Sequence, residues 1–325
     1  MRFPVNVITA CLIFCSSVAM AQEAGMGSAK HECPPPIDLV PPNNKFPKSD
    51  AAIRKYAASD VWKIEIPTKT EGGRTAPQSL RLIVPAPFTS SGFFLSDSIL
   101  PTEPESSIYR FKYIDISAGM FKPLATNPAF PIKYLEVDWN TEGLPRGPNG
   151  SFITPHYDFH FYFRDCKYVM EHMACMTTGK TCDPQKSGHD TMRPFLQLPP
   201  NSFLPASYFP DVDSSIVYMG LHNLDGNFTY EVQTVNHNPV IIYGSFENEL
   251  AFLEVSMTLY AFQDAVRRAE KGETPLSWSI AQPTDYAFPW WPTEVSLSYL
   301  PGSKSFAFDF NGFKLRKVTA NLVKD

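Results

Sequence analysis

Residues 154–163 read Thr154-Pro155-His156-Tyr157-Asp158-Phe159-His160-Phe161-Tyr162-Phe163. Strict alternation of polar and aromatic side chains is the period of a β-strand, in which successive side chains leave on opposite faces. His156, Asp158, His160 and Tyr162 then share one face, and Tyr157, Phe159, Phe161 and Phe163 the other. The aromatic face can bury in a core and hold the strand rigid. The polar face presents imidazole, carboxylate, imidazole and phenol in a row. Residues two apart stand about 7 Å apart along a strand, and His156 and His160 about 13 Å. Both rings reach one ion only if the strand bends; otherwise Asp158 lies between them as a ligand, or each histidine meets a different partner. A strand of this pattern can also simply turn its polar face to water.

Working outward, the chain reads as strand after strand. Strands are expected over 61–66, 80–84, 108–116, 132–137, 216–225, 229–235, 240–246, 250–258, 295–299, 305–310 and 314–319. One helix is expected over 259–271, where alanines and charges space Asp264 and Arg268 four apart. Asp50 is placed to cap a short helix through Tyr56. Residues 272–292 read as loop. Residues 165–214 read as a long irregular segment, stapled by cysteines. The fold class expected is mainly β, a β-rich α+β chain built as an antiparallel barrel or sandwich with one modest helix and a long disulfide-bearing loop. No internal repeat, glycine-rich phosphate loop or Gly-x-Ser-x-Gly elbow is present.

The first 21 residues have the form of a secretory signal. Arg2 precedes an apolar run from Val5 to Val18, and Ala19-Met20-Ala21 is a small-x-small cleavage site. Cleavage after Ala21 leaves a secreted or periplasmic chain, and the apolar run is short for a membrane span. Residues 22–49 are polar and proline-rich and read as an extended arm. Residues 50–325 read as a single β-rich domain with a cysteine-containing insertion at 165–214. The 28 basic and 33 acidic residues give a net charge of −5. Loss of Arg2 makes it more negative, which argues against nucleic acid or an anionic membrane as partner.

Cys11 and Cys15 belong to the signal, leaving Cys33, Cys166, Cys175 and Cys182. Four cysteines in an exported chain point to two disulfides, with one bridge expected within 166–182 and one from Cys33 to that loop. The rival is a zinc site from Cys166, Cys175, Cys182 and His172 or His189, whose spacings match no known finger.

Further polar residues are candidates for the site on residues 154–163. His222 follows Met219-Gly220, where a glycine lets backbones pack closely. Glu254 is a carboxylate between Leu253 and Val255 in an apolar strand, where an unpaired charge is costly and calls for a cation or a partner. His156, His160, His222 and Glu254 are therefore candidate ligands for a divalent transition metal, Zn, Mn, Fe, Ni or Cu. Asp158, Tyr162 and Asp225 are candidates for a surrounding polar pocket. His237 lies in a turn and reads as a surface residue.

Three segments, PHYDFHFYF, YMGLHNLD and IIYGSFENELAFLEVSMT, taken in order, resemble the signature of an uncharacterised family of exported bacterial proteins. The family is typified by a Thermus protein controlled by an envelope-stress sigma factor. There the segments run close to PHFDFHFY, MGxHWxD and YGxxxGxxxFxEPMIT. The resemblance covers about residues 130–262. It matches at His156, Asp158, His160, Gly220, His222, Asp225, Tyr243, Gly244 and Glu254, and departs at Asn223, Val255 and Ser256. It implies a β-barrel-like fold and homo-oligomers, and it supplies neither reaction nor substrate.

Three functions remain open on the sequence. The first is a secreted metal-binding protein without catalysis. The second is a metal-dependent enzyme, hydrolytic or oxidative, in which Asp158 or Asp225 acts on a bound water or orients an imidazole. The third is a metal-free module binding a small ligand or a protein. Binding is favoured over catalysis, because no nucleophile–base pair stands out beyond the metal candidates.

Overall fold

The alternating strand lies at the heart of an antiparallel sheet. The computed structural model describes residues 63–71, 73–85, 88–89, 92–93, 108–115, 130–140, 152–154, 156–173, 197–216 and 219–317. The expected signal (1–21), arm (22–49) and short helix (50–56) lie outside them, as do Cys33, Cys175, Cys182 and His189.

In chain order the strands are β1 (Lys63–Glu65), β2 (Thr68–Glu71), β3 (Arg74–Pro77), β4 (Leu80–Pro85), β5 (Phe88–Thr89), β6 (Gly92–Phe93), β7 (Ile108–Asp115), β8 (Tyr134–Asn140) and β9 (His156–Tyr162). Then come β10 (Tyr208–Ile216), β11 (Gly220–Asp225), β12 (Val240–Phe246), β13 (Glu249–Thr258), β14 (Leu276–Ser279), β15 (Trp290–Trp291), β16 (Glu294–Leu300), β17 (Ser305–Asn311) and β18 (Lys314–Leu315). The helices are α1 (Cys166–His172), α2 (Val232–His237) and α3 (Leu259–Glu270).

Seven strands form one sheet in the order β10-β11-β12-β13-β9-β8-β7, and five form another, β1-β4-β17-β16-β14. Every pairing is antiparallel. The sheets meet in a sandwich-like arrangement through the aromatic face of β9. Phe159 packs on Phe308 with ring centroids 4.3 Å apart, and Phe161 on Phe310 at 4.5 Å. Each such ring stabilises the fold by about 1.5–3 kcal/mol through burial. From α3, Phe262 reaches into the same core against Tyr157 and Phe306. Of the barrel and the sandwich expected, the sandwich is the one formed, with no closed barrel among the described strands.

The outer face of the five-stranded sheet follows the same alternation. Arg81 lies opposite Asp309 and grips it with two hydrogen bonds, Nε to Oδ1 at 2.6 Å and Nη2 to Oδ2 at 3.1 Å.

Several local expectations need correction. Residues 229–235 are not a strand; helix α2 occupies Val232–His237. The helix has one buried apolar side chain, Val235, which enters a cluster with Phe152, Leu224, Tyr230, Val240 and Ile242. The Asn238 N–H closes the last turn on Thr234 O before Pro239 ends it. Packing has overridden a weak local preference. The described parts of the segment 165–214 are less irregular than expected: α1, capped by Asp165, opens it and β10 closes it, while 174–196 lie outside the described residues. Residues 272–292 hold the short strands β14 and β15, whose four and two residues are too few for a periodic signal. Among the described residues three α-helices thus stand where one was expected.

Candidate metal centre

Pairing register assembles the site. On β9, His160 lies opposite Glu136 of β8 and Glu254 of β13; Asp158 lies opposite Asp138 and Ser256; His156 lies opposite Asn140 and Thr258. Residues directly opposite across strands point to the same face. The polar face of β9 is therefore flanked by Glu136 on one side and by Glu254, Ser256 and Thr258 on the other. Far from being solvated, it is closed: His156 is 1% exposed, Asp158 6%, His160 1%, Glu254 3% and Glu136 0%.

Two apolar clusters enclose this polar band. At one end stand Tyr134, Tyr162 and Phe252 together with Cys166, Val169 and Met173 of α1. At the other stands the cluster around Phe152, which meets the His156 ring edge-on at 5.8 Å.

His222 enters from β11, two strands from β13. Between them Gly244 faces His222 on one side and Phe252 on the other. Having no side chain, Gly244 leaves room for the Phe252 ring to lie over β12. That ring meets His160 edge-on at 5.1 Å and His222 at 5.4 Å. Gly220, at φ +80°, begins β11, and a Cβ there would come within 2.5 Å of Ser245 O. Only glycine admits this backbone and this approach.

Glu254 Oε2 is the meeting point. It lies 3.4 Å from His160 Nε2 and 3.3 Å from His222 Nε2. These separations are long for N–H···O hydrogen bonds, which run about 2.7–3.2 Å. They equal the spacing of two ligands sharing one ion: donors about 2.0–2.1 Å from a tetrahedral centre stand about 3.3–3.4 Å apart. The three residues offer donor atoms within 4.8 Å of one another, and the group can hold a metal ion. Burial alone would raise the Glu254 pKa, but the charge of the two imidazoles outweighs it and holds the carboxylate below its usual range.

His156 and Asp158 form a separate pair. His156 Nε2 lies 3.5 Å from Asp158 Oδ1. The other ring nitrogen, Nδ1, is 2.7 Å from Thr154 O, a contact it makes as donor. Burial, reinforced by Glu254, pushes the Asp158 carboxyl up to about 6 against the pull of His156, His160 and Ser256.

Of the residues singled out from sequence, His160, His222 and Glu254 come together. His156 and Asp158 stand one row along β9, and Tyr162 stacks 6.0 Å from His160 as part of the wall. Asp225 is elsewhere: it lies three residues from His222, hence on the opposite face of β11, and its Oδ1 accepts the Asn227 N–H in the following turn. His237 is likewise remote, with Nδ1 2.6 Å from Asp264 Oδ2 and its side chain 38% exposed.

Glu136 and Phe252 were not anticipated. Glu136 carries the signal that marked Glu254, a carboxylate within an apolar strand. Phe252 has no signal beyond its hydrophobicity. A shallow cleft of about 150 Å³, lined by Lys133, Phe163, Pro200, Phe203 and Phe288 among others, includes none of these site residues. Among the described residues, no helix is long and apolar enough to cross a membrane. No protein-family model, no curated protein and no solved structure matches the chain.

Proposed function

We propose that this is an exported metal-binding protein that keeps a divalent transition-metal ion between the sheet and its covering clusters, with His160, His222 and Glu254 as ligands. One observation carries the reading: two imidazole nitrogens face the same carboxylate oxygen at 3.4 and 3.3 Å in a buried setting. Nitrogen and oxygen donors without a thiolate suit Zn, Mn, Fe, Ni or Cu. Retention is favoured over turnover because all three ligands are closed off from water. Export is supported by the leader-like residues 1–21 and by four cysteines beyond it, which we read as two disulfides. The family resemblance supports assembly of several copies.

Elemental analysis of exported, untagged protein tests the reading. One ion per chain is expected at the three-ligand group in the wild type, and its loss in His160→Ala and in His222→Ala. Metal retained at wild-type level in both variants would remove the assignment.

A second reading, a metal-dependent hydrolase or oxidase, is favoured by the ligand count, since three protein ligands leave one position of a tetrahedral ion for water or substrate. Cobalt-loaded protein separates the two. Visible bands that shift on adding azide reveal an exchangeable position and favour catalysis; bands indifferent to azide favour storage or a structural role.

A further inference from the structure

The band of polar residues on β9 extends beyond the three ligands. His156 Nε2 and Asp158 Oδ1 lie 3.5 Å apart, and neither atom has a hydrogen-bond partner among the described residues although both are buried. Thr154 O engages the other ring nitrogen of His156 as acceptor, so in a neutral ring Nε2 offers a lone pair. An imidazole lone pair and a carboxylate oxygen then face each other inside the protein. Without a positive species between them the arrangement is repulsive, and it is costly in a medium of low dielectric. The imidazole that donates one nitrogen to a backbone carbonyl while presenting the other is oriented as metal-binding histidines are. The spacing of 3.5 Å is again close to that of two donors around one ion.

We infer that β9 carries a second cation position, between His156 Nε2 and Asp158 Oδ1, beside the one formed by His160, His222 and Glu254. The inference rests on the metal reading of the neighbouring group and deepens it: the protein holds a pair of ions instead of one. The donors again select a borderline divalent ion such as zinc or manganese. Further oxygen donors are at hand by register. Ser256 stands opposite Asp158 and hydrogen-bonds to it, and Thr258 stands opposite His156. The Thr258 hydroxyl donates its proton to Asn236 O, which leaves its lone pairs available.

The rival occupant of the gap is a proton, with His156 as imidazolium donating to Asp158. Equilibrium dialysis of purified protein against zinc, with manganese in parallel, decides between them. The expected result is two ions per chain in the wild type, falling to one in Asp158→Asn and in His156→Gln. Asp158→Asn keeps the side-chain shape and removes a buried charge, and circular dichroism checks that both variants remain folded. In His222→Ala the first position is lost and the second retained. A single ion per chain in the wild type at saturating zinc that is lost in His222→Ala and kept in Asp158→Asn and His156→Gln overturns the inference while leaving the first site intact. Two ions unchanged by Asp158→Asn and His156→Gln overturn it as well. A single ion lost in Asp158→Asn but kept in His222→Ala sinks the three-ligand reading and upholds this one.

Discussion

Gly244 and Phe252 face each other across β12 and β13, and the ring of Phe252 fills the space that a side chain at position 244 would need. The same ring borders both His160 and His222. A residue with no side chain thus sets the wall of the candidate metal centre. Gly244→Ala should push the Phe252 ring off its seat and cost about 1–3 kcal/mol, the range for overpacking a tight core. It should also weaken zinc binding by disturbing both imidazoles. Chemical denaturation and zinc titration on one preparation check this; unchanged stability would show that the ring relocates freely.

Removing Phe252 has a different signature. Phe252→Ala leaves a cavity between the two histidines and should lower stability by about 3–5 kcal/mol in metal-free protein. Saturating zinc, binding only the folded state, should restore part of that loss. Melting curves with and without zinc measure both effects. A variant whose melting temperature does not rise on adding zinc no longer binds it.

The metal-free protein should have a pH signature at Asp158. Its folded-state carboxyl lies at about 6 against an ordinary 3.8, so the folded chain holds this proton more tightly than the unfolded one. Its contribution is fully present below about pH 4 and is lost as pH rises through about 6. At about 1.4 kcal/mol per pH unit, the loss is about 3 kcal/mol. Glu254 acts oppositely: held below its usual range, it contributes above its ordinary value near 4.5 and the contribution fades as pH falls. Asp158→Asn should therefore gain stability over the wild type at pH 7 and little at pH 4. Urea denaturation in chelator at the two values tests the sign.

His237→Ala should change neither metal content nor, by more than about 1 kcal/mol, stability. Its contact with Asp264 is partly exposed, and exposed ion pairs contribute little. Elemental analysis beside His160→Ala makes the comparison, and equal effects from the two substitutions would reject the site.

The disulfide proposal has its own readout. Exported protein, denatured without reductant, should contain no free thiol, and reductant should open residues 165–190 to protease before the sheets melt. Four reactive thiols in the native protein would reject the pairing.

How far the sequence reveals this arrangement depends on the range of the interactions involved. The two faces of β9 are legible because alternation is local: the aromatic row meets Phe308 and Phe310, and the polar row turns away from them. Glu254 is legible as a charge in an apolar strand, and His222 through the glycine before it. The match between ligands is not legible. His156 and His160 look like a pair in the sequence, yet a straight strand keeps them apart, and the partners of His160 come from β11 and β13 through long-range register. Parity alone removes Asp225, which stands an odd number of residues from His222. Helix α2 was missed because its one deeply buried side chain, Val235, is a β-branched residue in a run that reads equally as strand.

The candidate ligands are drawn from three strands, and the last, β13, ends at Thr258. No shorter N-terminal piece contains the set, and β9 has both neighbours only once β13 has paired with it. On the proposed metal reading, loading is therefore a late event in the life of the chain. If the leader is used, the polypeptide crosses the membrane without its ions and takes them from the compartment in which it finishes folding. The identity of the metal then reports what that compartment supplies as much as what the donors prefer, and protein made in the cytoplasm can carry a different ion on the same residues.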